Sequence, residues 1–414
     1  MSKIQWSAVN SFTRNSTSKS LGYYRPCPIC GSLESKVILE LTKFQFYTDS
    51  KDDPKRFDVR ENRCLSCFAL YLNPCYSNHG FNILFAEAGQ SYGSTTEHTH
   101  EQIKWLNNNK LLNDGARMLD VGCFDGYFLS CLPKHVKKMG VDIDENAVER
   151  GRKQYIEKEI QFFIGDFETF SFNGPAPDTI TMFHVLEHLP RPIEVLKKLR
   201  SISEMTTKLI IEVPVIENGK TNDINGFFSI QHTTHFSRNS LRNCIAIAGW
   251  EIEKEYEVPD YNGYRVLVTP HPKKPLCLSL SPTQEDWVEL NDILSGWYIA
   301  IKNVEQIIKG IKHSDRFVIW GGGAHTEYLY QVTSFFHTHH QKNFVIIDSD
   351  PIKQGKTWRG ISIYDPSIIK EFDWSSTSLL ISSYGGQAAI YKDAIVMKVP
   401  KEKIIQLYKT IRRY

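Results

Sequence analysis

Met118-Leu-Asp-Val-Gly-Cys-Phe-Asp-Gly126 decides the fold of this 414-residue chain. An apolar run ends at Asp120, glycines stand at 122 and 126, and residues 127–132 have the character of a helix start. That order predicts a strand, a tight turn and a helix N-terminus, where bare backbone lets a nucleotide-like ligand come close. Two glycines alone are common in turns, so the sequel matters. Val141-Asp142-Ile143-Asp144 puts an acid at a second strand end, and Phe163-Ile164-Gly165-Asp166 puts another after a third. Residues 178–188, Asp-Thr-Ile-Thr-Met-Phe-His-Val-Leu-Glu-His, add a fourth strand running into a polar helix start.

Four acid-terminated strands in this order resemble the class I S-adenosylmethionine (SAM) methyltransferases over roughly residues 95–270. The resemblance implies a task for each residue. Gly122 lets the chain approach the methionine part of SAM, and Gly126 packs the following helix closely. Asp120 lies near the cofactor's ammonium end. Asp142 accepts hydrogen bonds from the ribose hydroxyls, as acids do after the second strand of dinucleotide folds. Asp166 meets the adenine amino group. Phe124 stands where the commonest form of the family has glycine. Gly-Cys-Phe-Asp-Gly is more similar to the Gly-Ser/Cys-Asn-Asp-Gly loop of the sugar C-methyltransferases.

Length exceeds one typical core, so two or three domains are expected. No run of 18 apolar residues is present, and the first residues lack the apolar core of a secretion signal. Lysine plus arginine number 49 against 47 acids, with no basic stripe, which gives no support to nucleic acid or membrane as partner. Four of the nine cysteines form two Cys-x-x-Cys pairs, Cys27/Cys30 and Cys64/Cys67. Each pair aims two thiolates at one point, and together they complete a closed tetrahedral Zn²⁺ shell with a structural role. Without an export signal this favours a reducing cytoplasm over disulfides. Cys75 and His79 lie nearby as less favoured ligands. A zinc ribbon ahead of a class I domain is itself similar to the sugar C-methyltransferases, which act on nucleotide-linked deoxysugars and carry a third domain.

Residues 269–284 hold four prolines and read as an extended connector, followed by a long helical pattern over 285–312. The strand Arg316–Trp320 then runs into Gly321-Gly-Gly323; Phe344–Asp348 and Leu379–Ser383 are further strands of a second αβ unit. A dinucleotide is disfavoured there because the last glycine of Gly-x-Gly-x-x-Gly is missing. Asp348-Ser-Asp-Pro-Ile-Lys-Gln-Gly355 resembles a segment of the C-methyltransferase C-terminal domain, which implies a role in enclosing a nucleotide sugar. His325 and Glu327 depart from the small residues usual after its glycines.

His184-Val-Leu-Glu187-His188 spells the inverted zinc-protease signature, a reading rejected because the segment directly follows the fourth strand. There the methyltransferases carry His-Val-Leu-Glu-His-Leu as a floor to the cofactor pocket, which implies contact between His184 and SAM, with Glu187 and His188 as a hydrogen-bonded cap. In Gln231-His232-Thr-Thr-His235-Phe-Ser237 the resemblance makes His232 the candidate base, although Gln231 replaces the family's glutamate and supports an imidazole less. His235 reads equally as structural. Tyr92 matches an active-site tyrosine, with His184 as further support for a developing enolate or alkoxide.

These readings amount to an α/β protein in three parts: a zinc ribbon over 1–90, a Rossmann-like class I SAM methyltransferase domain over 91–270, and a smaller Rossmann-like αβ domain over 285–414. The expected function is methylation of a nucleotide-activated (deoxy)sugar, at carbon or oxygen, in surface-polysaccharide or natural-product biosynthesis. The rivals are methylation of another small-molecule intermediate, a non-catalytic binding module, and an NAD enzyme built on residues 316–383.

Overall fold

The computed structural model describes residues 7–9, 20–49, 55–86, 96–167, 171–258, 261–271, 280–311 and 314–411. Its centre is a seven-stranded sheet. The acid-tipped strands Arg117–Val121, Lys137–Asp142 and Ile160–Ile164 lie parallel with Thr179–Phe183, joined by Lys208–Val213. Across the sheet the order is 250–257, 264–270, 208–213, 179–183, 117–121, 137–142, 160–164. Tyr264–Pro270 is antiparallel to both neighbours. Because 117–121 lies between 137–142 and 179–183, the chain reverses direction across the sheet there. The carboxyl ends of those strands open a crevice where ligands bind in open α/β sheets.

The strands are buried along nearly their whole length and mostly apolar, as sheets covered on both faces require. Helices Tyr127–Cys131, Glu145–Gln154, Pro192–Ser201 and Arg238–Ile247 supply the cover. The predicted helix start after the fourth strand is a short 3₁₀ turn, Leu186–His188, because His184 adopts a left-handed backbone (φ 55°) that ends regular structure.

The N-terminal unit is a sheet of Ser35–Gln45, Arg56–Cys64 and Leu70–Leu72, and its edge is completed by Thr234–His235 from the central part of the chain. The C-terminal unit is a six-stranded sheet centred on Arg316–Trp320, parallel except for the edge strand Thr357–Trp358. Its long helix, Gln284–Lys309, begins in a capping box at Thr283 and Asp286. The connector starts later than expected, since Thr269 and Pro270 still pair with Glu251 and Trp250. No helix among the described residues is long and apolar enough to cross a membrane.

Candidate active site

The glycine turn is tight on both sides. Gly122 has φ 78°, and a Cβ there would stand 2.3 Å from Val185; Gly126, also at φ 78°, would press a Cβ to 2.4 Å from the Phe162 ring. Substitution at either is therefore both strained and crowded. Phe124 explains how this loop dispenses with its expected glycine. It takes a left-handed conformation (φ 50°), and its N–H donates to Asp142 Oδ2 at 2.7 Å. The charge-assisted bond offsets a backbone cost of roughly 1–2 kcal/mol.

Asp142 Oδ1 accepts the Asp144 N–H at 2.8 Å, so each carboxylate oxygen has one backbone donor and a lone pair left over. Burial pushes this carboxyl up, and the backbone N–H groups of Asp144, Phe124 and Ile143 pull it back. Asp120 is buried, takes the Thr181 hydroxyl at 2.6 Å, and is pushed up to about 7, by burial first and by the charge of Asp142 in addition. Neither acid forms an ion pair among the described residues. Two carboxyls without a resident cation suit a ligand bearing hydroxyls and positive charge. SAM, with a ribose, an ammonium and a sulfonium, fits that donor set. Asp166 follows the third strand, where Gly165 N–H donates to the Asp142 carbonyl at 2.8 Å.

Beside the turn lies a network the sequence reading missed. Glu212 and Arg265 face each other in the antiparallel register, both fully buried, with Arg265 Nε 2.6 Å from Glu212 Oε2. Glu212 Oε1 meets His98 Nε2 at 2.7 Å and His184 Nε2 at 3.1 Å, while Arg265 also holds Glu101 at 2.5 Å. Burial works against the charge on Glu212, yet His184, His98 and Arg265 hold its carboxyl well below the ordinary range. Burial likewise opposes a proton on His184, but Tyr261, Glu187 and Glu212 raise its pKa well above the ordinary value. The one sequence signal was a charged residue inside each of two apolar strands, 208–213 and 264–270.

Glu187 is another buried carboxylate of this region, and it differs from the expected cap: among the described residues neither oxygen has a hydrogen bond. His184 Nδ1 lies 3.4 Å and His188 Nε2 3.9 Å from its Oε1. The ring of His232 packs edge-on against that of His188 at 4.8 Å. His232 is held neutral, its pKa lowered well below the usual value by burial and by neighbouring histidines. Gln231 turns away and donates to the Tyr47 hydroxyl at 2.7 Å. His235 binds buried Glu61 of the N-terminal sheet at 3.0 Å and so has a structural partner. Tyr92 lies outside the described residues.

The loop carrying His232 is gripped from three directions. Tyr76 donates to the Ile230 carbonyl from the N-terminal unit, Trp297 to the Ile224 carbonyl from the long helix, and Tyr328 to the Phe228 carbonyl from the C-terminal unit. In that last unit Asp348 accepts from the Gly322 N–H and from Lys353. The two unexpected residues there are internal braces: His325 bonds Ser382 and Tyr408, and Glu327 pairs with Arg359 at 2.6 Å.

At the other end, Cys27, Cys30, Cys64 and Cys67 bring four sulfurs within 4.8 Å of one another. Cys27–Cys67 and Cys30–Cys64 sulfur separations are 3.5 Å each. Sulfurs at ~2.3 Å from a tetrahedral ion stand about 3.8 Å apart, so the set fits a closed four-thiolate centre.

Residues 97–255 match a family profile described as a methyltransferase domain. The matched stretch takes in the glycine turn and the strands 117–121, 137–142, 160–164, 179–183 and 208–213 of the central sheet. The ubiquinone biosynthesis O-methyltransferase of Coxiella burnetii (strain RSA 493 / Nine Mile phase I) is 29% identical over 98 residues, 23% of this chain. The chain spans 42% of the length of that curated relative. Among solved structures, magnesium protoporphyrin IX methyltransferase (ChlM) from Synechocystis PCC 6803, with bound SAH, is 17% identical. It superposes with TM-score 0.35 over 47% of this chain and 95% of that one. The PH0226 protein of Pyrococcus horikoshii OT3 is 19% identical, with TM-score 0.37 over 45% of this chain and 98% of that one.

Proposed function

We propose that the chain transfers a methyl group from SAM to a small-molecule acceptor, and that the acceptor is a nucleotide-activated (deoxy)sugar methylated at carbon or oxygen. The observation that carries the transfer is Asp142, anchored by two backbone donors beside the Gly122 turn with a lone pair free on each oxygen. When bound, SAM supplies a methyl on a sulfonium, already activated for in-line attack. The protein's own work is to align the acceptor, exclude water and take a proton from it. His232, neutral and placed beside the His184–His188 turn, is the proposed proton acceptor. His184, held toward its charged form, is the proposed hydrogen-bond donor to the developing oxyanion.

The nucleotide-sugar reading is supported by the grip on residues 221–235. An acceptor loop built jointly by N-terminal, central and C-terminal parts suits a substrate long enough to touch all three. The four cysteines are proposed to hold one structural Zn²⁺ that fixes the N-terminal unit. The test is release of S-adenosylhomocysteine with candidate acceptors, alongside thermal protection by a nucleoside diphosphate in the presence of SAM. Protection beyond that given by SAM alone is the expected result; turnover with an acceptor lacking a nucleotide, and no protection, would replace the sugar with another small molecule.

A further inference from the structure

We propose that Glu187, His188 and His232 form a binding site for a divalent first-row transition-metal ion, separate from the four cysteines. Each of the three side chains offers a ligand atom, and all these atoms lie within 4.8 Å of one another. Ligands at about 2.0–2.2 Å from one ion stand roughly 3–3.5 Å apart, so occupancy requires a contraction of about an ångström.

Among the described residues, two of the three groups lack hydrogen-bond partners. Glu187 is 1% exposed, and neither of its oxygens is hydrogen-bonded. His232 Nδ1 is buried and also has no hydrogen bond. His188 Nδ1 meets the Gln231 carbonyl at 3.0 Å, which puts its proton there and leaves a lone pair on Nε2, the nitrogen facing Glu187. A backbone carbonyl fixing the tautomer in this way is the usual support of a metal-bound imidazole. The segments are stapled as well: Thr233 N–H donates to the Glu187 carbonyl at 2.8 Å, so ligands from two loops share one frame.

Charge separates an ion from a bridging water. A buried carboxylate needs a compensating cation. No lysine or arginine pairs with Glu187 among the described residues, and the nearest imidazole, His184, is shared with Glu212. Water supplies donors to the orphans but no charge. One ion satisfies all three groups and balances the carboxylate. Two imidazoles and a carboxylate favour zinc, iron, cobalt, nickel or manganese over magnesium or calcium. Three protein ligands leave positions open for an acceptor oxygen, which such an ion polarises. With the ion on Nδ1, His232 retains its proton on Nε2, so it is a ligand in the loaded protein and a base only in the metal-free one.

The experiment loads the stripped full chain with Co²⁺ and measures metal per chain together with the optical spectrum. Thiolate-bound cobalt gives intense sulfur-to-metal bands, and an imidazole–carboxylate site gives none, so the two sites are counted apart. The expected result is two ions per wild-type chain and one in Glu187→Gln and His188→Gln, with the thiolate bands unchanged. A single ion without thiolate bands in wild type also supports the site. One thiolate-bound ion in wild type at saturating Co²⁺, or two ions retained in both variants, overturns it. The wild-type count decides even where a variant does not fold, and no outcome depends on methyl transfer.

Discussion

Glu212 and Glu187 are both buried at the tips of central strands, and each gathers two histidines. Glu212 has Arg265 across the sheet, two imidazoles on its other oxygen, and a depressed pKa. Glu187 has no guanidinium and no hydrogen bond among the described residues, and only the imidazoles of His184 and His188 lie near it, at 3.4 and 3.9 Å. The first is a finished ion network that holds the strand ends and His184 in place. The second, like Asp120 and Asp142, is a carboxyl with no lysine or arginine partner among the described residues. The contrast separates architecture from ligand site: a buried acid with its own cation stabilises the fold, and one without marks where something else binds.

The largest expected effect lies on the closed side. Arg265→Met leaves Glu212 buried and short of its main counter-charge, and should lower unfolding free energy by about 3–5 kcal/mol in urea denaturation. A change near zero would place Glu212 among the open acids. On the ligand side, Asp142→Ala should weaken S-adenosylhomocysteine binding by about 1.5–3 kcal/mol for each ribose hydrogen bond lost. Calorimetric titration reads it, and an unaltered affinity would mean the carboxylate points away from the ligand.

The two kinds of acid also slope oppositely with pH. Glu212, depressed in the fold, contributes stability that is present above the ordinary carboxylate value of 4.5 and lost as pH falls through its lowered value. Asp120, raised from 3.8 to about 7, does the reverse: its burial costs nothing below 3.8 and erodes stability as pH climbs toward 7. Asp120→Asn should therefore flatten the stability curve between pH 4 and 7, and an unchanged slope in urea melts across that window would remove Asp120 as its source. The smallest effect is expected from Glu187→Gln in metal-free protein, under about 1 kcal/mol, because the pairing lost is with imidazoles at 3.4 and 3.9 Å and the burial cost of the carboxylate is removed with it. Clear destabilisation in chelator-treated melts would show that Glu187 already has a cation.

Much of this was legible because its signals are local. Strand, turn and acid recur within a few residues at 118–126, 141–144 and 163–166, and two Cys-x-x-Cys turns announce one ligand set. Phe124 looked like a departure only because its compensation, the Asp142 carboxylate, lies across the turn. The Glu212 network was opaque for the same reason on a larger scale. His98, His184, Glu212 and Arg265 meet only through strand order and antiparallel register, which periodicity does not encode. Gln231 is next to His232 in sequence, yet its partner is Tyr47, 184 residues away.

The crevice above Asp120 and Asp142 is the proposed seat of an adenosyl ligand. Isothermal titration of metal-replete chain with S-adenosylhomocysteine tests it without any acceptor. Saturable one-site heat, weakened in Asp142→Ala, is the predicted result; no heat with either this compound or SAM would contradict the account.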